Sequence, residues 1–223
     1  MSIEAGVKAD LFNRRARVAF DVFTYTVKDL QLTAVGGAAN ANVLLSAKRA
    51  KGQGFELDFQ AYLSDRLLAT VGVGYNDTQI QDGGLQVATC AACKVTDPTR
   101  VVNGSTVALI DGNPLPQAPK TTANFTLKYT QPMGQGDLYV YTDWVYRSTV
   151  NFFLYESTEF TGKALTEGGL RVGYTWANGK YDVAAYARNI TNQIRAVGGI
   201  DFNNLTGFIN EPRTLGVQFK ATF

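Results

Sequence analysis

The sequence predicts an all-β protein, an antiparallel β-barrel that crosses a membrane. Two observations carry this prediction. Apolar and polar residues alternate with period two through about nine segments, and the connections between those segments alternate between short and long. The chain has 223 residues, of which 45% are hydrophobic and 18% charged, so it can form a compact fold and is not a disordered tail.

Each alternating segment places its apolar residues on one parity and its charged residues on the other. In the first segment Ile3, Val7 and Leu11 share one parity, while Glu4 and Lys8 lie on the other. A strand presents alternate residues to opposite faces of its sheet, so one predicted face is apolar and the other polar. The predicted strands lie within residues 3–11, 18–22, 55–63, 69–75, 123–129, 138–146, 170–176, 183–187 and 215–223.

The connections between these segments fall into two classes that alternate along the chain. The short ones lie at residues 12–15, 64–66, 132–136 and 177–180, and the long, polar ones lie at 31–46, 77–119, 148–166 and 190–212. The last short one contains Asn178 and Gly179, the pair preferred in a type I′ hairpin turn. Outer-membrane barrels have short periplasmic turns and long extracellular loops. The order of loop lengths therefore predicts a barrel in the bacterial outer membrane, with membrane lipid against its apolar face.

No stretch reaches the run of about 18 to 20 apolar residues that a membrane-spanning helix needs, so a membrane-spanning form of this chain would cross with strands.

Aromatic residues give a further indication of a membrane barrel. Those on the apolar parity lie near the ends of the predicted strands, as in the two girdles that flank the lipid-facing band of a barrel. The predicted periplasmic girdle contains Tyr129, Trp176, Tyr181 and Phe223, and the predicted outer girdle contains Tyr75 and Tyr146.

The number of strands predicts that this sheet is part of a larger barrel. Antiparallel barrels generally close with an even number of strands, and about nine would leave two unpaired edges. The first eleven residues lack the charged and apolar regions of a secretory signal and already follow a strand pattern. We therefore expect either an internal starting point within a longer protein or a truncated gene.

Several short motifs, spread in order over nearly the whole chain, resemble the barrel domain of TonB-dependent receptors. They are similar to the family motifs E-x-G-x-K-x-D-L-F, G-x-E-x-E, L-P-x-A-P, N-L-T-D and P-R-T. The matching segments are IEAGVKADLF at 3–12, AKRAKGQGFELD at 47–58, LPQAPK at 115–120, NITN at 189–192 and EPRT at 211–214. Phe55 and Asp58 are mild departures from the second motif.

The resemblance implies that residues 1–223 are the C-terminal part of a barrel of about 22 strands. It also implies a plug domain and a signal peptide outside this chain, and a TonB complex that supplies energy through the parent protein. The implied function is the uptake of a scarce ligand of the siderophore, cobalamin or carbohydrate class.

The last strand resembles the signal that the barrel-assembly machinery reads, with an apolar residue at every second position up to a terminal phenylalanine. An ordinary amphipathic strand that ends in phenylalanine is the alternative. The residues of this C-terminal pattern are Leu215, Val217, Phe219, Ala221 and Phe223.

The residue types present argue against several kinds of chemistry. The sequence has no histidine, which excludes Ser-His-Asp and Cys-His catalysis and removes the commonest ligand of transition metals. We therefore predict no enzymatic activity, no cofactor and no metal site. The net charge is +2 and the basic residues are scattered, so nucleic acid is not an expected partner. Cys90 and Cys93 form either a loop disulfide or two free thiols, and an oxidising envelope favours the disulfide.

Charged residues on the polar parity are the candidates for a ligand path through the lumen. Arg147, Arg171 and Arg188 could attract an anionic ligand, although salt bridges within the barrel wall would explain them equally well. Carboxylates of the same parity could form an acid/base pair, but a mutually neutralised wall is favoured. These carboxylates are Asp21, Glu56, Asp58, Asp143 and Asp182.

Two other interpretations stay open at this point. A structural, adhesive or porin-like barrel would present loops or a pore without energised transport, and a signal peptide directly before Met1 would favour it. A soluble β-sandwich would stay in solution without detergent, whereas the open edges and apolar face of a barrel piece should aggregate.

Overall fold

All regular secondary structure in the described part of the chain is β-strand. The computed structural model describes residues 1–36, 41–201 and 203–223. Within those ranges no helix is long and apolar enough to cross a membrane. The strands are β1 (Ser2–Leu11), β2 (Ala16–Gly36), β3 (Ala41–Ser64), β4 (Leu67–Ile80), β5 (Gln86–Ala88), β6 (Thr99–Val102), β7 (Ser105–Leu109), β8 (Thr121–Met133), β9 (Gly136–Arg147), β10 (Val150–Asn151), β11 (Thr161–Gly162), β12 (Leu165–Trp176), β13 (Tyr181–Arg188), β14 (Ala196–Asp201), β15 (Leu205–Ile209) and β16 (Thr214–Ala221).

Nine long strands form one antiparallel sheet, which we call the wall. Its strand order is β1-β2-β3-β4-β8-β9-β12-β13-β16, so each strand pairs with the next wall strand along the chain. This up-and-down order is that of a barrel sheet. Each of the nine strands predicted from period-two alternation corresponds to one wall strand, and the prediction of an all-β antiparallel fold is confirmed.

The wall has one apolar and one polar face, as the alternation predicts. On the apolar face Val7, Val172 and Val217 are 56%, 42% and 76% exposed although their side chains are hydrophobic. A continuous apolar surface of this kind is unfavourable in water and suits contact with lipid chains. The polar face carries charged residues, and Arg171 and Asp182 form an ion pair there, with Arg171 Nη2 2.6 Å from Asp182 Oδ1.

The short connections lie at one end of the wall, and the hairpin turn at residues 177–180 shows how sequence sets their geometry. The amide of Lys180 donates to the carbonyl of Ala177 at 3.2 Å. The two central residues, Asn178 and Gly179, have φ of 56° and 83°. A type I′ turn requires positive φ at both central positions, which asparagine and glycine tolerate best. By the loop-length rule for outer-membrane barrels, this is the periplasmic end.

The predicted long loop at residues 31–46 is wrong for the described residues 31–36 and 41–46, and residues 37–40 lie outside the described ranges. Strand β2 continues to Gly36 and β3 begins at Ala41, and the two stay paired in a ribbon that extends beyond the wall. The alternation continues weakly through this ribbon, where Leu32 and Leu45 are partly buried against other long connections. That packing stabilises strands that the local sequence marks only faintly.

The other long connections fold together above the wall, at the extracellular end. We call this assembly the cap; it comprises residues 81–119, 148–164, 189–201 and 203–213 with the β2–β3 ribbon. It contains three small sheets, β5-β7-β6, β10-β11 and β14-β15. Full burial of a large apolar side chain contributes about 1.5–3 kcal/mol. The buried core of the cap consists of Ala47, Ile80, Val87, Cys90, Ala108, Ile110, Val150, Phe152, Phe153, Leu154, Tyr155 and Phe160.

Candidate functional site

The polar face of the wall forms a recess of about 470 Å³ towards its extracellular end. We call it the lumenal recess. Strands β9, β12 and β13 supply most of its lining, because alternate residues of each strand point to the same face. The segment just before β16 closes one side. Its charged and aromatic lining residues are Tyr141, Asp143, Glu167, Arg171, Tyr186, Arg188 and Glu211.

Arg171 is held by three partners in the wall. Its Nη2 donates to Asp182 Oδ1 at 2.6 Å, its Nε to the hydroxyl of Tyr139 at 2.8 Å and its Nη1 to Gln218 Oε1 at 2.5 Å. The Tyr139 hydroxyl donates in turn to Asp182 Oδ2 at 2.8 Å. A charged group that is partly removed from water is stable when an opposite charge pairs with it and its donors have hydrogen-bond acceptors. Arg171 therefore ties β9, β12, β13 and β16 together and leaves little of its charge for a ligand.

Arg188 and Arg147 are in different situations. The Arg188 guanidinium lies 5.8 Å from the ring centre of Tyr186, in the range of a cation–π contact, and its side chain is exposed. The ion pairs found within the described ranges do not involve it. Arg147 instead donates from Nη2 to the carbonyl of Ala196 at 2.7 Å, which fastens β9 to the cap.

The structure thus brings two of the three predicted arginines into one recess. Arg171 and Arg188 line it, and Arg147 lies outside it, at the joint between wall and cap. A ligand role for any of them stays a prediction. The distinction that matters for binding is that Arg171 is neutralised in the wall, whereas Arg188 presents its charge to the recess.

Three tyrosines of the polar face were missed by the sequence argument. Tyr139, Tyr141 and Tyr186 lie on the charged parity of β9 and β13, and this parity was the signal that could have identified them. Two of them cover glycines of neighbouring strands. A Cβ atom at Gly173 would lie 2.5 Å from the Tyr139 hydroxyl, and one at Gly216 would lie 2.5 Å from the Tyr186 hydroxyl. The glycines therefore leave room for aromatic rings that lie against the wall.

The carboxylates of the polar face do not assemble into a metal site or a site of obvious reactivity. Asp21 and Glu56 lie directly opposite each other on β2 and β3, and Asp182 is paired with Arg171. Among the described residues no group of three or more His, Cys, Asp or Glu could hold a metal ion. The lumenal recess combines hydroxyl groups, carboxylates and two guanidinium groups, of which that of Arg171 is paired in the wall, and this lining suits it to binding a polar molecule through hydrogen bonds.

A buried polar joint fastens the cap from within. The hydroxyl of Tyr155 donates to Asp201 Oδ2 at 2.8 Å, and the two residues are 2% and 0% exposed. Burial, and then the hydrogen bond to Asp201, raise the pKa of the Tyr155 phenol well above its usual value. The phenol therefore stays protonated and continues to donate. Asn151 Nδ2 supports the same turn by donating to the carbonyls of Phe153 and Tyr155 at 2.7 and 2.9 Å.

Asp82 anchors the longest cap segment to the ribbon. Its Oδ2 accepts the backbone amide of Lys48 at 3.0 Å, and its Oδ1 accepts the amide of Gly84 at 3.2 Å. The Lys48 ammonium lies 3.4 Å from Oδ1. The amide of Lys48 is the main reason that the pKa of this carboxyl is lowered, because these contacts favour the charged form.

A disulfide joins Cys90 and Cys93 in this structure, with Cα atoms 5.6 Å apart. We call it the loop disulfide. Cys90 belongs to the buried core of the cap. Shortly after it, the amide of Thr96 donates to the carbonyl of Glu156 at 2.9 Å, so two separate long connections meet here. The redox state of these cysteines in the cell stays a prediction.

Three comparisons with known proteins bear on this arrangement. The profile of the family described as "TonB dependent receptor-like, beta-barrel" matches residues 1–190. The chain is similar to the ferric yersiniabactin uptake receptor FyuA of Yersinia pestis, with a TM-score of 0.74 and 15% identity over 100% of this chain and 29% of that one. It is also similar to the siderophore receptor PiuA of Acinetobacter baumannii, with a TM-score of 0.69 and 17% identity, over 98% of this chain and 27% of that one. The likeness to the ferric-catecholate import receptor Fiu of E. coli K12 has a TM-score of 0.66 and 13% identity, over 98% of this chain and 26% of that one. A search of curated proteins gave no significant match.

The chain spans less than a third of the length of these receptors, so the nine-stranded wall is part of a larger barrel. At such low identities the likeness to solved structures shows the fold. The family profile covers most of the sequence and describes a β-barrel, which agrees with the antiparallel wall. The barrels of this family lie in the outer membrane of Gram-negative bacteria and act as receptors and transporters. The chain belongs to the β-barrel family of TonB-dependent receptors.

Proposed function

We propose that the parent receptor takes up a scarce ligand of the siderophore class across the outer membrane, with energy coupled through TonB. Membership of the family supports the coupling, and the similar receptors FyuA, PiuA and Fiu support the ligand class over cobalamin or a carbohydrate. The observation within this chain that carries the proposal is the position of the Arg188 guanidinium. It lies in the lumenal recess against the ring of Tyr186, and no ion pair among the described residues involves it.

The lining of the recess indicates what kind of ligand it would meet. Asp143 and Glu167 accept hydrogen bonds, whereas Arg188 and Tyr141 offer donors, so the recess is not simply cationic. A ligand with several polar groups of both kinds satisfies such a lining better than a simple anion does. Arg188 would meet acceptor oxygens of the ligand on its way from the cap towards the periplasm.

The proposed partners follow from the two edges of the wall. Strands β1 and β16 end the sheet, and we infer that the remaining barrel strands pair with these edges. A plug domain would fill the lumen, and the TonB complex would act through the parent protein. The proposed recognition of β16 by the barrel-assembly machinery is supported by its lipid-facing residues, since Leu215, Val217 and Phe219 are 73%, 76% and 62% exposed.

Growth under iron limitation tests the proposal. A strain without the parent gene should lose growth on at least one member of a panel of ferric siderophores, and uptake of iron-55 from that siderophore should fall to the level of a strain that lacks TonB. Complementation with Arg188→Ala should restore uptake about tenfold less well than the wild-type gene, because a charged hydrogen bond contributes about 1.5–3 kcal/mol. Lys180→Ala, in a periplasmic turn, is the matched control and should complement fully.

The same strains discriminate the alternative functions. Uptake that persists without TonB would indicate a porin-like barrel. A deletion that leaves uptake unchanged for every siderophore tested, while surface attachment falls, would indicate an adhesive role. Either result would contradict the proposal.

A further inference from the structure

Two cavities on the outer, lipid-facing side of the wall meet at one residue, Tyr75. The first is an apolar groove of about 510 Å³ across β1 to β4. Its floor is a cross-strand row in which Ala5 pairs with Val22, Val22 with Phe55 and Phe55 with Tyr75. The rings of Phe55 and Tyr75 are stacked with centres 5.8 Å apart, and Phe20 extends this aromatic series at 6.1 Å from Phe55. The small side chain of Ala5 leaves the groove open at its β1 side.

The second cavity is a polar recess of about 800 Å³ between the wall and the underside of the cap. We call it the outer recess. Tyr75 and Tyr146 line it from the lipid-facing parity of β4 and β9, so it opens on the membrane side and not into the lumen. Its remaining polar lining contains two ammonium groups, from Lys120 and Lys163, the carboxyl of Glu156, the amide of Asn151 and several serine and threonine hydroxyls.

The charges of the outer recess leave one ammonium group available. Lys120 Nζ lies 2.6 Å from Asp77 Oδ1, so these two charges neutralise each other. Glu156 also lines the recess, where burial and then the nearby charge of Asp97 raise the pKa of its carboxyl; within the described ranges it forms no ion pair with Lys163. Lys163 is exposed, and within the described ranges no ion pair involves it.

We propose that the groove and the outer recess together bind one phosphate-bearing lipid of the outer leaflet, with an acyl chain along Phe20, Phe55 and Tyr75 and a phosphate at Lys163. The groove is continuous with the membrane-facing surface of the wall, where lipid chains are the available occupants. The outer recess shares Tyr75 with the groove and is lined by residues of the cap, so it lies on the extracellular side of the groove, where lipid headgroups would be. An aromatic residue at this boundary and a basic residue above it match the apolar and charged parts of one lipid molecule. This inference does not depend on the ligand that the receptor takes up.

Native mass spectrometry of the full-length receptor, purified in mild detergent, tests the proposal. The probes are phosphorylated lipopolysaccharide, the same material after enzymatic removal of its phosphates, and inorganic phosphate. The wild-type receptor should retain phosphorylated lipopolysaccharide, and Lys163→Ala should retain it about fivefold less. Ala5→Phe should fill the groove and reduce retention similarly. Lys180→Ala in a periplasmic turn and Ala185→Phe on the lipid face of β13 are the matched controls and should retain as much as the wild type.

Three outcomes would overturn the proposal. The first is equal retention of phosphorylated and dephosphorylated lipid, which would remove the role of the phosphate. The second is unchanged retention in Lys163→Ala or in Ala5→Phe, with heat-modifiable mobility on gels showing that each variant is folded. The third is binding of inorganic phosphate that depends on Lys163 without retention of lipid, which would indicate a site for free phosphate.

Discussion

The joint between Tyr155 and Asp201 gives the sharpest prediction about the cap. Replacing Tyr155 by phenylalanine keeps the ring in the apolar core but removes the hydroxyl that donates to Asp201 Oδ2 at 2.8 Å. Asp201 is 0% exposed, so water cannot simply take the place of that hydroxyl. A hydrogen bond to a charged group contributes about 1.5–3 kcal/mol. We expect the free energy of opening the cap to fall by this amount.

Hydrogen exchange measures this opening directly. Since about 1.4 kcal/mol corresponds to a factor of ten, the substitution should raise the opening equilibrium constant about ten- to a hundredfold. Faster exchange should appear in peptides that cover residues 150–162 and 196–201, the two segments that the joint connects. Peptides from β12 in the wall should exchange at the wild-type rate. The measurement uses the full-length receptor in detergent or nanodiscs, analysed by mass spectrometry.

A matched control separates the lost hydrogen bond from a general effect of tyrosine-to-phenylalanine substitution. Tyr62 lies near the periplasmic end of β3 and is 48% exposed, so Tyr62→Phe should leave exchange in the cap unchanged. Unaltered exchange of both cap segments in Tyr155→Phe would refute the reasoning, because it would show that the joint does not hold the cap closed.

Three further predictions concern the ribbon and the cap. Gly36→Ala should destabilise the ribbon by about 1–3 kcal/mol more than Gly104→Ala does its own turn, as measured by hydrogen exchange. Both glycines have φ near 80°, so the backbone strain is similar in the two variants. A Cβ at Gly36 would also overlap the Asp201 carbonyl oxygen, whereas the surroundings of Gly104 are open. Asp82 has a lowered pKa in the folded state, so its contribution to anchoring is present above its ordinary value of 3.8 and is lost as the pH falls below it. Pepsin cleavage of residues 81–119 between pH 4 and pH 2 should therefore rise more in the wild type than in Asp82→Asn, and equal slopes would contradict this. The loop disulfide should leave no thiol for maleimide labelling of native protein until a reductant is added.

The wall could be predicted from sequence because its determinants are local. A strand that separates lipid from a polar lumen must alternate at every position, and segments such as 55–63 and 215–223 do so without interruption. The short turns are equally local: Asn178 and Gly179 favour the positive φ that the hairpin between β12 and β13 requires at these positions. Strand number, pairing order and sidedness follow from these two signals.

The cap could not be predicted in the same way because its determinants are distant in sequence. Strand β10 has only two residues, and its Asn151 pairs with Thr161 of β11. Tyr155 forms its hydrogen bond with Asp201, which lies 46 residues further along the chain. The polar, glycine-rich composition of these segments indicates loops. Their apolar residues form a core only where three separate connections pack together. The ribbon was missed for the same reason, since its partly buried Leu32 and Leu45 pack against those connections.

The lumenal recess shows where parity stops being informative. Period two places Arg171 and Arg188 on the same face, but it does not say which partner each meets. Cross-strand register decides this: Arg171 lies beside β13, where Asp182 reaches its guanidinium, whereas Arg188 stands over Tyr186 of its own strand. A residue becomes a candidate for ligand binding through what its neighbours leave unsatisfied. The register of the folded wall therefore separates Arg171, which is paired within the wall, from Arg188, which faces the recess, whereas the sequence pattern alone does not distinguish the two.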